Sequence, residues 1–227
     1  MQATILCYHK VGPALEEGRS LNIEPFRLRS HVRFFARRGR TFVRACDFAA
    51  GWPSGSICFT FDDAYSSTMK NAPSIFESEG ARATFYAVPA LVGSSSVWDR
   101  EKARPLASWD ALRAAQSAGH EIGNHSFSHC RLGDADLETQ KAEIREAHRR
   151  LVAEGLRPGS FCYPYGSLNA DALEAVRGAG YSVGMALGKR SALESDDRLK
   201  LPRIVVAYSD ALPMLLYKIV LKPRLKR

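Results

Sequence analysis

The chain has 227 residues, of which 45% are hydrophobic, 25% charged and 10% aromatic. That balance can bury a full core without disulfide staples, and it excludes a disordered, collagen-like or coiled-coil chain. The formal net charge is +8, unevenly placed: residues 25–45 hold seven Arg and no acid, and residues 211–227 hold five Lys or Arg and no acid, so the remainder is net acidic.

The N-terminus, M-Q-A-T-I-L-C-Y-H-K, carries no basic region followed by a long apolar one, so no secretory signal is visible. T-I-L-C-Y (4–8) reads as a strand ending at Tyr8-His9. A helix is predicted near 25–38, with Phe26, Val32 and Phe35 towards a core and Arg27, Arg29, Arg33, Arg37 and Arg38 elsewhere on it. Gly39 stops it, and T-F-V-R-A (41–45) follows as a strand. I-C-F-T-F (57–61) runs into Asp62-Asp63, and A-T-F-Y-A-V (83–88) follows Gly80. Residues 89–107 are the longest irregular piece and read as an excursion over the strand-end face. Ser108 caps a helix that stops at Gly119, and H-E-I-G-N (120–124) leads into H-S-F-S-H (125–129). Residues 136–154 form the longest helix, with Leu137, Ile144, Ala147 and Leu151 on one face and Gly155 beyond its end. G-S-F-C-Y (159–163) leads into Pro164-Tyr165-Gly166. Asn169 caps a helix that stops at Gly180, and Y-S-V-G-M-A (181–186) and R-I-V-V-A (203–207) complete eight candidate strands. Glycine in the left-handed conformation is the usual helix stop, which makes this punctuation informative.

Strands alternating with helices predict a parallel α/β fold. Seven or eight such units in about 210 residues suit a small, incomplete (β/α) barrel in one domain, 1–210, with a doubly wound open sheet as the alternative. Residues 211–227 form an apolar run that meets a basic end. The run is too short to span a bilayer, which needs about 18 apolar residues; it suits either a last helix packed on the barrel or contact with an anionic leaflet. Cys7, Cys46, Cys58, Cys130 and Cys162 are odd in number with no C-x-x-C pair, which reads as reduced, buried thiols in a cytoplasmic protein, peripheral to the membrane if the tail docks there. No helix-turn-helix, zinc finger or aromatic-basic interleaving is present, so no nucleic-acid partner is expected.

Polar residues gather at the C-terminal ends of the predicted strands, where barrel chemistry sits. His125 and His129, four apart, can share one ion. With one carboxylate of Asp62-Asp63 they suit Zn²⁺ or another divalent first-row ion, leaving a coordination position open. The other carboxylate is then free to act as a base. Singly, each motif is weak: H-x-x-x-H also occurs as a surface or core pair, and adjacent acids often cap helices. His9 reads either as a strand-end histidine bonded to backbone or as a site residue. His31, His120 and His148 read as structural or exposed.

Taken together, T-F-D-D-A (60–64), H-S-F-S-H (125–129) and F-C-Y-P-Y-G (161–166) resemble the ordered motifs of the polysaccharide deacetylase family. G-H-E-I-G-N (119–124), L-P-R-I (201–204) and the opening C-Y-H-K-V-G (7–12) are similar to it too, the last to the permuted branch containing poly-N-acetylglucosamine deacetylases. The resemblance implies a deformed (β/α)7 barrel and metal-dependent removal of an N-acetyl group from an amino sugar, with an N-acetylated carbohydrate as partner. It implies Asp62 as general base, and Asp63, His125 and His129 as ligands of Zn²⁺, with Co²⁺ or Ni²⁺ as alternatives. It further implies His9 as general acid, Tyr165 as donor of a backbone N–H to the oxyanion, and Arg203 as the residue that orients Asp62. Rivals are a deacylase that removes another N-acyl group, such as formyl, or acts on a small acetylated amine, and a non-catalytic sugar-binding relative. Two positions depart from the family: Ala64 replaces the usual Gly, which matters if the backbone there needs positive φ, and Cys162 replaces the arginine usual before the P-Y element.

Overall fold

The computed structural model describes residues 1–223. Seven parallel strands follow one another around a closed barrel: β1 (Gln2–Tyr8), β2 (Ile57–Phe61), β3 (Thr84–Ala87), β4 (Glu121–Asn124), β5 (Phe161–Cys162), β6 (Gly184–Gly188) and β7 (Leu201–Val205). β1 closes the ring by pairing with β2 through Cys7↔Thr60 and with β7 through Leu6↔Ile204. The arc around β5 is thin, since β4 and β5 meet in one register pair, Asn124↔Phe161. This is the deformed (β/α)7 barrel, not the open sheet. The strands Phe42–Val43 and Ala192–Leu193 pair with the starts of β2 and β1, at the end away from the strand C-termini.

The helices α1 (Pro25–Ala36), α2 (Ser66–Glu77), α3 (Trp109–Ser117), α4 (Leu137–Ala153) and α5 (Ala170–Gly178) surround the barrel. Ser108 and Asn169 cap α3 and α5 by accepting from the N–H groups of Ala111 and Ala172. Gly39, Gly80, Gly119, Gly155 and Gly180 all have positive φ, as the helix stops require.

Two predicted positions are corrected. Phe26 is 63% exposed; it stands in the first turn of α1, and Leu28, Val32 and Phe35 form the buried face instead. Leu137 is also exposed, because the phase of α4 is set by Gln140, Ile144, Ala147 and Leu151. Gln140 belongs on the buried face because its amide donates to the carbonyls of Leu132 and Ala135. Period two is hard to see in near-continuous apolar strands, yet it sorts them here. Leu6, Phe59, Phe61 and Phe85 pack outward under the helices, while Ile5, Cys58, Tyr86, Cys162 and Met185 share a second cluster.

The apolar run near the C-terminus packs on the barrel. It forms α6 (Leu212–Leu216) and one further wide helical turn, Tyr217–Leu221, with Leu215 buried and Leu216 and Ile219 against the main core. The basic residues at 224–227, on which part of the membrane expectation rests, lie outside the described residues. No helix among the described residues is long and apolar enough to cross a membrane.

Candidate active site

Strand parity builds the site. Cys7 and His9 of the first chain segment, Thr60 and Asp62, His125, Cys162 and Arg203 come from alternating positions at the C-terminal ends of β1, β2, β4, β5 and β7. Adjacent residues of a strand point to opposite faces, so Asp62 and Asp63 cannot share a site while both remain extended. Asp63 breaks the alternation with φ of 70°, and Ala64 continues at 48°. The sharp turn brings both carboxylates, each nearly buried, to the barrel mouth.

Asp62 is held by Arg203. The guanidinium donates to both carboxylate oxygens, at 2.6 Å to Oδ1 and 2.8 Å to Oδ2. Arg203 is fully buried and is itself fixed by the Thr60 hydroxyl at 2.9 Å and the Ala186 carbonyl at 3.2 Å. Burial pushes the Asp62 carboxyl up, but the charge and hydrogen bonds of Arg203, with the neighbouring His125 and His9, together outweigh it and hold the group well below the ordinary carboxylate range. The arginine missing at position 162 is thus supplied from another strand. Cys162 leaves room for it, with Arg203 Nη2 3.0 Å from the sulfur. The Cys162 and Cys7 thiols also face the two Asp62 oxygens, at 3.6 and 3.4 Å. Cys162 stands out in the sequence as the departure from the family's arginine, whereas nothing marks Cys7 as more than a buried thiol. Cys46 and Cys130 are only half-buried.

Asp63 has a different environment. Its Oδ1 lies 3.4 Å from His125 Nε2 and 3.1 Å from His129 Nε2. His125 Nδ1 is 2.8 Å from the Cys162 carbonyl, which can only accept, so Nδ1 carries the proton, and in the neutral, metal-binding form of the ring the lone pair of Nε2 faces Asp63. Asp63 Oδ1 is buried and makes no hydrogen bond. Acceptors facing one another with an orphaned carboxylate oxygen between them are what a cation resolves. The three groups converge closely enough to hold one ion, and an N₂O donor set fits a divalent first-row metal.

His9 Nε2 approaches Asp62 Oδ2 at 4.0 Å. Its Nδ1 is buried with no partner, and burial lowers the ring's pKa against the opposing pull of Asp62. Tyr165 occupies a tight turn at φ of 59°, with its ring edge-on to His129 at 4.5 Å and the Arg131 guanidinium 3.9 Å above it. Trp98 was not anticipated. It lies in the 89–107 excursion and stacks on the His129 ring, with centroids 3.9 Å apart. The only available hint was a tryptophan standing in the longest segment without periodicity. Among the described residues, five of the seven non-glycine residues with positive φ are Asp63, Ala64, Ser126, His129 and Tyr165, so backbone strain is concentrated in these motifs.

The other histidines are structural. His31 meets the Tyr8 hydroxyl at 3.0 Å, His120 accepts from the Ala83 N–H at 3.1 Å, and His148 meets the Tyr181 hydroxyl at 2.8 Å.

Fold and donor set define a (β/α)7 barrel with a candidate metal centre at its C-terminal mouth. The chain belongs to the polysaccharide deacetylase family, whose model matches residues 51–184. His9 and Arg203 fall outside that span. A chitin deacetylase of Colletotrichum lindemuthianum is 26% identical over 132 residues, covering 57% of this chain and 49% of that protein. The chain spans about half the length of the curated relatives it matches. The fold is that of the Streptococcus pyogenes deacetylase PplD (TM-score 0.80, 19% identity, 96% of this chain and 98% of that one). It is also that of IcaB from Ammonifex degensii (TM-score 0.80, 21% identity, 94% and 95% covered).

Proposed function

We propose that the protein is a metal-dependent carbohydrate N-deacetylase, which hydrolyses the acetamide of an N-acetylated amino sugar to acetate and a free amine. The observation that carries this reading is the division of labour between adjacent carboxylates. Asp62 is neutralised and oriented by Arg203, while Asp63 is left facing two imidazoles. Family membership and the chitin deacetylase relatives support an N-acetylglucosamine-type substrate.

Asp63, His125 and His129 would hold the ion, and zinc is the one their N₂O set favours. When bound, the ion supplies Lewis-acid polarisation of the acetamide carbonyl and acidifies the attacking water. Asp62, ionised throughout the working pH range, takes the proton from that water as its oxygen adds to the carbonyl carbon. Arg203 keeps the carboxylate in one orientation, so no reorganisation is needed at that moment. The backbone N–H of Tyr165 donates to the developing oxyanion. His9 gives a proton to the departing nitrogen, which leaves poorly as an anion. Burial makes protonated His9 a stronger acid than a free imidazolium, which suits it to that transfer.

Acetate release from N-acetylglucosamine oligomers tests the reading. Turnover should be abolished by chelator and restored by zinc. His9→Ala should lower kcat by about 10²–10⁴ without loss of the ion. Chelator-insensitive turnover would contradict the metal assignment, and release of formate but not acetate from the matched sugars would reassign the acyl group.

A further inference from the structure

Half of the large apolar side chains exposed among the described residues fall in two short segments, 12–27 and 211–223. Leu15, Leu21 and Phe26 belong to the first, and Met214, Tyr217 and Leu221 to the second. The segments adjoin: α6 packs on α1, and Arg27 Nη1 donates to the Tyr208 carbonyl at 3.1 Å. They follow the C-terminal ends of β1 and β7, so they rim the same mouth that holds His9 and Arg203. Arg104 Nε donates to the Glu16 carbonyl at 3.0 Å and ties this rim to the excursion carrying Trp98.

The charge on the rim is mostly basic and uncompensated. The Arg19 and Arg27 guanidinium groups each lie 5.4 Å from the Tyr208 ring, and neither forms an ion pair among the described residues. Arg29, on the same helix as Arg27, is exposed. Glu16 and Glu24 are the acids in the same segment that reach solvent, since Glu17 is buried. Two guanidiniums converging on one ring, flanked by outward apolar side chains, match the boundary between phosphate headgroups and acyl chains.

We propose that this rim docks the protein on an anionic lipid surface. A second copy of the chain fits less well, because a two-fold contact centred on this rim would bring two like-charged, Arg-bearing patches together. The packed helix Leu212–Leu221 contributes its outer face, so docking does not depend on the chain end alone. Docked this way, the mouth faces an N-acetylated sugar carried at that surface; this last step rests on the deacetylase reading, whereas the docking does not.

Co-sedimentation of the full chain with vesicles of mixed phosphatidylglycerol and phosphatidylcholine, against phosphatidylcholine alone, tests it. Binding to the anionic vesicles alone is expected, weakening with salt. Arg19→Ala with Arg27→Ala should weaken it about 25-fold, at roughly fivefold per arginine. Leu15→Ser with Phe26→Ser should weaken it comparably, and both pairs should leave acetate release from soluble oligomers unchanged. Absence of vesicle binding, or equal binding by the variants, would overturn the proposal. So would self-association that Phe26→Ser abolishes while vesicles are ignored. Vesicle binding by a protein inactive on every N-acetyl sugar would sink the deacetylase reading and leave the docking intact.

Discussion

At the residue scale, the instructive contrast is between Asp62 and Asp63, one bond apart in sequence and opposite in environment. Asp62 forms a bidentate ion pair with a fully buried arginine. Removing one partner of such a pair leaves an uncompensated buried charge, which costs about 3–5 kcal/mol. Arg203→Met should therefore lower unfolding free energy by about that amount in urea titrations. Arg203→Lys should lose less stability, because it keeps the charge, but should still reduce kcat by disordering the base. Equal stability of Arg203→Met and wild type would mean that the pair contributes nothing to folding. Cys162 shows why such a site is only partly legible. The resemblance names Arg203 for the missing arginine's task, but only the barrel's closure shows how a strand 41 residues further on reaches its place beside Cys162.

At the element scale, the barrel was readable from its punctuation. Gly39, Gly80, Gly119, Gly155 and Gly180 each end a helix, and each of the eight predicted strand runs contains strand residues. Two small strands, Lys10–Val11 with Asn22–Ile23, were not anticipated, since two-residue pairs carry no periodic signal. Phase was harder than existence. Leu137 was placed inward because it is apolar, whereas the buried polar Gln140 defines the face through hydrogen bonds invisible in a hydropathy pattern. Trp98 was missed for a related reason, since nothing periodic marks a stacking contact made by a loop. Gly123, on β4 just before the paired histidines, shows how close the packing is. A Cβ there would lie 2.3 Å from the buried Tyr86 ring and 3.2 Å from the Ser160 carbonyl. Gly123→Ala should destabilise the fold by about 1–3 kcal/mol. Gly178→Ala, in helix α5 with open space around it, should instead stabilise by about 0.5 kcal/mol. Chemical denaturation of both variants checks the contrast, and loss of stability in the second would show that helical space was misjudged.

At the scale of the whole molecule, buried histidine links stability to pH. Burial pushes the His31 ring down from its usual value of 6.5 to about 4. Above pH 6.5 both folded and unfolded chains carry it neutral, and it has no effect. Between pH 6.5 and 4 the unfolded chain binds the proton and the folded one does not, so stability falls on acidification. The loss attributable to this residue between pH 7 and pH 5 is about 2 kcal/mol. His31→Gln should lose that much less over the same interval, and parallel pH profiles for the two proteins would remove the assignment. Charge also has a place at this scale. The charge surplus is carried by residues 25–45 and 211–227, none of which belongs to the set of paired and neutralised groups that builds the site. The charge surplus therefore bears on where the protein docks, and the mouth residues bear on what it does there.

The distinct roles of the two aspartates are open to one direct comparison. Metal content and acetate release from N-acetylglucosamine oligomers should be measured side by side for wild type, Asp62→Asn and Asp63→Ala. Asp62→Asn should retain a full complement of ion while kcat falls by about 10²–10⁴, and Asp63→Ala should lose ion and activity together. Wild-type turnover by Asp62→Asn, or an undiminished ion complement in Asp63→Ala, would contradict the division of labour on which the proposed function stands.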